Sequence, residues 1–168
     1  LAMVAPITYA AKPVLTGTYK VVASDICQSN DVGFSAYPIL QALGNNYQVI
    51  NSWESSMQFL ADGTVTEVTR GQYALPSATQ QPVGTFEHVC SYTSTQNTDG
   101  SFTLIGACDG NVLSGIALNE RTHVSPVVWR VTPAAGMILL SQVGTEVVTL
   151  TTDPPGTHYR ICQGTGIG

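Results

Sequence analysis

Charge is what this sequence has least of. Asp, Glu, Lys and Arg make up 10% of its 168 residues, against about 25% in ordinary soluble domains. Six Lys and Arg face eleven acidic residues, for a net charge of -5. A nucleic-acid partner needs a basic stripe, and six scattered cations do not build one. Also missing is any apolar run near the roughly 18–20 residues of a membrane-spanning helix. No C-x-x-C occurs, which argues against a thioredoxin-type redox role. Absent too are G-x-S-x-G, a Gly-rich phosphate loop, an EF-hand and a paired-carboxylate motif. The segment "NTDGS", 97–101, lacks the later acidic ligands of a calcium loop. His88, His123 and His158 have no ligand-like spacing. The expectation is no metal and no cofactor.

What remains is strand chemistry. Thr, Val, Tyr and Ile recur in short runs punctuated by Gly, Pro and Asn. The pattern predicts strands at 16–24, 53–60, 64–71, 84–93, 101–108, 111–118, 126–132, 137–142, 146–151 and 157–163. Most are separated by two to five residues, so antiparallel hairpins are expected. Asp62-Gly63 reads as a two-residue turn, and Asn97–Ser101 as a looser one. One helix is expected, over 33–44, broken by Pro38 and closed by Gly44. There is no domain linker. Residues 13–168 read as a single domain, and 1–12 as an N-terminal arm or a signal remnant. Ten short strands must manage their edges, and closing the sheet removes them. The fold class expected is therefore all-β, an antiparallel up-and-down barrel of about eight to ten strands, with a β-sandwich as the alternative.

The four cysteines bear on the compartment. With a turn at 97–101, Cys90 lies opposite Cys108 on the paired strand, within disulfide reach. Cys27 and Cys162 end the first and last strands, which are neighbours in a closed barrel. The pairing 90–108 with 27–162 is the one of three connectivities that a barrel predicts. Free thiols and a four-cysteine zinc site are the competing readings, although structural zinc prefers closely spaced pairs. Disulfides imply an oxidising compartment: secreted, periplasmic or cell-surface.

"GTYKV" at 17–21 opens the first full strand and "THYRIC" at 157–162 forms the last. This arrangement resembles the lipocalin and wider calycin pattern. There, a Gly-x-Trp on the first strand packs beneath an Arg from the final strand. Gly17 matches the glycine, Tyr19 stands in the tryptophan's place, and Arg160 matches the arginine. The resemblance implies that Arg160 packs over Tyr19 and closes the barrel bottom. Allene oxide cyclase-like and dirigent-like barrels have a similar strand inventory.

Period-2 alternation nominates interior residues. Trp53, Met57 and Phe59 share one strand face. Through a two-residue Asp62-Gly63 turn, Met57 lies opposite Val68 and Ser55 opposite Arg70, which turns Arg70 inward as an anchor for an acidic ligand group. The alternative for Arg70 is a strand-end side chain reaching solvent. Phe86, His88, Cys90 and Tyr92 share a face, and Trp129 shares one with Val127 and Val131. "NERTH", 119–123, is a local charge cluster that reads as a solvated loop or a pocket rim.

Three functions remain open. The first is a secreted barrel binding a small apolar molecule among Trp53, Met57, Phe59, Arg70, Phe86, His88, Tyr92 and Trp129. The second is a barrel cyclase or isomerase acting on an apolar substrate through His88, Arg70, Glu67 and Tyr92. The third is a surface or fibre subunit, whose N-terminal arm adds a strand to a neighbouring copy.

Overall fold

The computed structural model describes residues 15–35, 46–75, 83–114, 120–123, 126–142, 145–150 and 156–168. Ten strands follow one another: β1 Gly17–Asn30, β2 Asn46–Phe59, β3 Thr64–Ala74, β4 Val83–Gln96, β5 Phe102–Ser114, β6 Glu120–His123, β7 Val127–Ala134, β8 Met137–Gln142, β9 Thr145–Leu150 and β10 Gly156–Ile167. Every pairing is antiparallel. β6 and β7 both pair with β5, and β8 and β9 both pair with β10, so each couple forms one interrupted stave. β10 then pairs with β1 and closes the sheet as an eight-stranded barrel. The sandwich alternative is thereby excluded.

Closure follows from alternation. In β3, Val65, Glu67 and Thr69 are buried while Thr66, Val68 and Arg70 are exposed. The period is two, as a strand with one dry face requires.

The hairpins set which residues lie inside. At β2–β3, Phe59 pairs with Val65. Leu60 N donates to Thr64 O, and Gly63 N donates back to Leu60 O. The loop is therefore three residues, Ala61-Asp62-Gly63, with Gly63 at φ +89°, the three-residue hairpin that ends in a left-handed residue. The two-residue turn expected at Asp62-Gly63 is overturned, and the register moves by one. A one-residue slip sends every side chain to the other face. Glu67, not Val68, lies opposite Met57, and Thr69, not Arg70, lies opposite Ser55. The β4–β5 hairpin repeats the geometry at Thr98-Asp99-Gly100, with Gly100 at φ +84°.

Asp62 and Asp99 act alike in these turns. Asp62 Oδ1 accepts from Thr64 N at 2.8 Å. Asp99 Oδ1 accepts from the Ser101 hydroxyl at 2.6 Å and from Ser101 N at 3.1 Å. These bonds favour the ionised form and hold both carboxyls below their ordinary value of 3.8.

Three expectations about elements are corrected. β1 does not stop at 24 but runs to Asn30, where the Asn30 side chain accepts from Val32 N and Gly33 N and turns the chain. β5 is one strand where two were expected, because Asp109-Gly110 is not a turn. Gly110 faces His88 across β4–β5, and a Cβ there would meet the imidazole. Of the helix expected over 33–44, residues 33–35 are non-helical, and 36–44 lie outside the described residues. The N-terminal arm, 1–12, also lies outside them.

Two apolar clusters fill the two ends. The larger one, at the tight-turn end, includes Val21, Met57, Phe59, Val65, Phe102, Leu104, Val131 and Ile138. The smaller one gathers Cys27, Val49 and Cys162 with Tyr47, Tyr73 and Leu75. Both expected disulfides are present, Cys27–Cys162 between β1 and β10 and Cys90–Cys108 between β4 and β5. Each joins residues directly opposite in the ladder.

Candidate functional site

Between the two clusters the interior is not filled. A cavity of about 60 Å³ is lined by aromatic and polar side chains together. Trp53 from β2 and Trp129 from β7 meet edge-on, ring centroids 6.1 Å apart. Phe86 and His88, two apart on β4, stack at 4.7 Å. Both inward-facing β4 residues reach the cavity because Phe86, His88, Cys90 and Tyr92 alternate with exposed or half-exposed neighbours.

The polar part has its own order. Tyr92 donates its hydroxyl proton to Glu67 Oε2 at 2.9 Å, and the Tyr92 hydroxyl oxygen lies 3.3 Å from Cys108 Sγ. Glu67 is only 5% exposed. Nearer the small cluster, Asn51 Nδ2 donates to Asp25 Oδ1 at 2.6 Å. Thr69 and Gln142 complete the lining, and Gln142 Oε1 is buried without a hydrogen-bond partner.

Trp53, Phe86, His88, Tyr92 and Trp129 thus line one space, as expected from the sequence. Met57 and Phe59 do face inward, but they belong to the packed floor at 0% and 2% exposure and not to the cavity. Arg70 is corrected outright. The register slip turns it to the outer surface, where its Nε donates to Glu87 Oε2 at 3.0 Å with 76% of its side chain exposed. Glu67 takes the inward position instead, so an anchor for an acid is replaced by an acid. Asp25, Asn51 and Gln142 were not expected in the site. Asp25 was legible in principle, because it sits two residues before the inward Cys27 on a strand that continues past it.

The closure expected from the calycin resemblance does not form. Arg160 pairs with Ser29, ten strand positions along β1 from Tyr19, a separation of about 33 Å at strand rise. Tyr19 packs against Phe59 instead, edge-on at 5.5 Å. Arg160 is buried at the opposite end, near the Cys27–Cys162 bridge. The side chains of Glu120, Arg121, His123 and His158 lie outside what the structure describes.

Among the described residues, one His/Cys/Asp/Glu group is tight enough for a metal: Asp25, Cys27 and Cys162. Both of its sulfurs are committed to a disulfide, and a metal ligand must be a thiolate. No helix among the described residues is long and apolar enough to cross a membrane. No protein-family model matches this chain, and no curated protein matches it.

Proposed function

We propose that this protein is an exported, disulfide-bonded β-barrel that binds a small molecule by taking its apolar part into the barrel interior. One observation carries the reading: a cavity in a closed barrel, walled by Trp53, Trp129 and Phe86 and edged by a few placed polar groups. That mixture is the usual make-up of small-molecule sites. Two disulfides support export, since such bonds persist in oxidising compartments.

Size narrows the ligand. Drug-sized pockets run to about 300–1,000 Å³, and this one holds about 60 Å³. A retinoid or a long-chain fatty acid does not fit whole. A monocyclic terpene or a similarly compact group inserts one end, with the remainder in the mouth. Burying about 150 Å² of apolar surface at about 25 cal/mol per Å² gives about 4 kcal/mol. An affinity of about 1 mM or weaker is expected.

Trp53 and Trp129 are the chain's two tryptophans, so their emission reports the site directly. Titration with terpenes, retinoids and fatty acids should quench or shift emission for the compact class. Unchanged emission with every class, on folded protein, contradicts the reading.

A second reading, a cyclase or isomerase on the same site, is favoured by the Tyr92–Glu67 hydrogen bond with His88 nearby. A hydroxyl and a carboxylate held together can move a proton. Its test is product formation from a bound terpene, lost in Glu67→Gln. Recovery of unchanged ligand after prolonged incubation decides for binding alone.

A further inference from the structure

The interior-binding reading leaves open what the polar edge of the cavity recognises. Two carboxylates, Asp25 and Glu67, line it, and no Lys or Arg does so among the described residues. Glu67 is the sharper case. It is 5% exposed, and Tyr92 is its sole partner among the described residues. A phenol has one proton, and the carboxylate Oε2 takes it. The other oxygen has no donor among the described residues, and Glu67 lines the cavity. A buried carboxylate so thinly served is costly unless a cation joins it.

The rest of the lining matches that need. Asn51 spends an amide proton on Asp25. Gln142 presents a buried, unpartnered acceptor oxygen. Two acceptors at the polar edge, one on Glu67 and one on Gln142, therefore lack donors among the described residues. The one basic side chain on the lining, His88, lies stacked on Phe86. The same lining carries the aromatic groups Trp53, Trp129, Phe86 and Tyr92, whose faces carry the negative end of the ring quadrupole. A hard metal ion asks for six or more converging oxygens, whereas Asp25 and Glu67 do not come together in one ligand group among the described residues, and much of the lining is aromatic carbon. An organic ammonium satisfies both halves at once.

Resting on the interior-binding reading, we infer that the cavity selects small organic cations, a primary ammonium head donating to Glu67 while its carbon chain lies against Trp53 and Trp129.

The test uses three probes of equal size and different charge: n-butylammonium, 1-butanol and butyrate. Each is titrated into the intact, disulfide-bonded protein at constant ionic strength, with tryptophan emission as the readout. Butylammonium should bind at least about tenfold more tightly than butanol, and butyrate least of all. Glu67→Gln should abolish the preference, and Arg70→Gln, on the outer surface, should retain it. Should Glu67→Gln fail to fold, Tyr92→Phe serves instead. It frees Glu67 from its hydroxyl, so the ammonium preference should persist or grow. Equal affinity for butylammonium and butanol, or a preference that survives Glu67→Gln, overturns the cation inference while leaving interior binding intact. Silence with all three probes and with the terpenes removes the interior site itself.

Discussion

Removing the disulfides one at a time tests the closure of the barrel. Cys27 and Cys162 are 135 residues apart in sequence, and Cys90 and Cys108 are 18 apart. In the chain-entropy model, a cross-link stabilises by restricting the unfolded chain, more so for a longer loop. The long bridge is then worth about 5 kcal/mol and the short one about 3 kcal/mol. Each double alanine variant deletes two buried sulfurs, so the packing losses are similar and the difference of about 2 kcal/mol reports loop length. With a urea m-value of about 2 kcal/mol per molar, Cys27→Ala/Cys162→Ala lowers the midpoint by about 2.5 M and Cys90→Ala/Cys108→Ala by about 1.5 M. Equilibrium urea unfolding of both variants is the assay. Equal losses, or a larger loss from the hairpin bridge, refute the view that Cys27–Cys162 closes the barrel across its whole length.

Other perturbations follow from single positions. Ala135 has φ +48° ahead of Gly136 at φ +87°, a two-residue hairpin turn that prefers Asn-Gly; Ala135→Asn should stabilise by about 0.5–1 kcal/mol, and a lower melting temperature contradicts this. Gly110→Ala should destabilise by about 1–3 kcal/mol, because its Cβ meets the His88 ring and the Glu87 carbonyl; near-UV circular dichroism should report the disturbed cavity, and an unchanged midpoint would count against the β4–β5 register. Asp62 and Asp99 are held below 3.8 by bonds from Thr64 and Ser101, so they stabilise the fold above that pH, and the contribution is lost as pH falls through their folded values. Urea midpoints from about pH 5 to about pH 2 should fall less steeply in Asp62→Asn/Asp99→Asn, and a parallel acid limb would exclude the turn carboxylates as its source. Arg70→Ala should change stability by less than about 1 kcal/mol, as exposed ion pairs do; a loss of several kcal/mol means that Arg70 is not on the outer face.

The sequence revealed the fold class and both disulfides, because the spacing of short strands and the mirrored cysteines are long-range features that survive local errors. It misplaced the site through a local one. "ADGT" admits a two-residue or a three-residue turn, and the choice flips the whole of β3. Gly63 is left-handed in either turn, but Asp62, which a two-residue turn would also make left-handed, has no positive φ, and that difference has no mark in the residue types. Arg70 and Glu67 exchanged faces as a result. Asp25, Asn51 and Ser29 went unrecognised as interior positions for a different reason. Polar residues inside a strand erase the alternation by which its dry face is identified. The expected Arg160–Tyr19 contact failed because two terminal strands can be neighbours and still be staggered by many residues.

The central claim, that a small molecule enters the barrel between Trp53 and Trp129, is tested most directly by the two indole N–H resonances of the nitrogen-15-labelled, disulfide-bonded protein. Titration with butylammonium should shift both resonances together along one saturable curve, with intermolecular contacts from the ligand methylenes to both indole rings. Shifts confined to exposed backbone amides, with both indoles unmoved at saturation, would place the ligand outside the barrel and contradict the account.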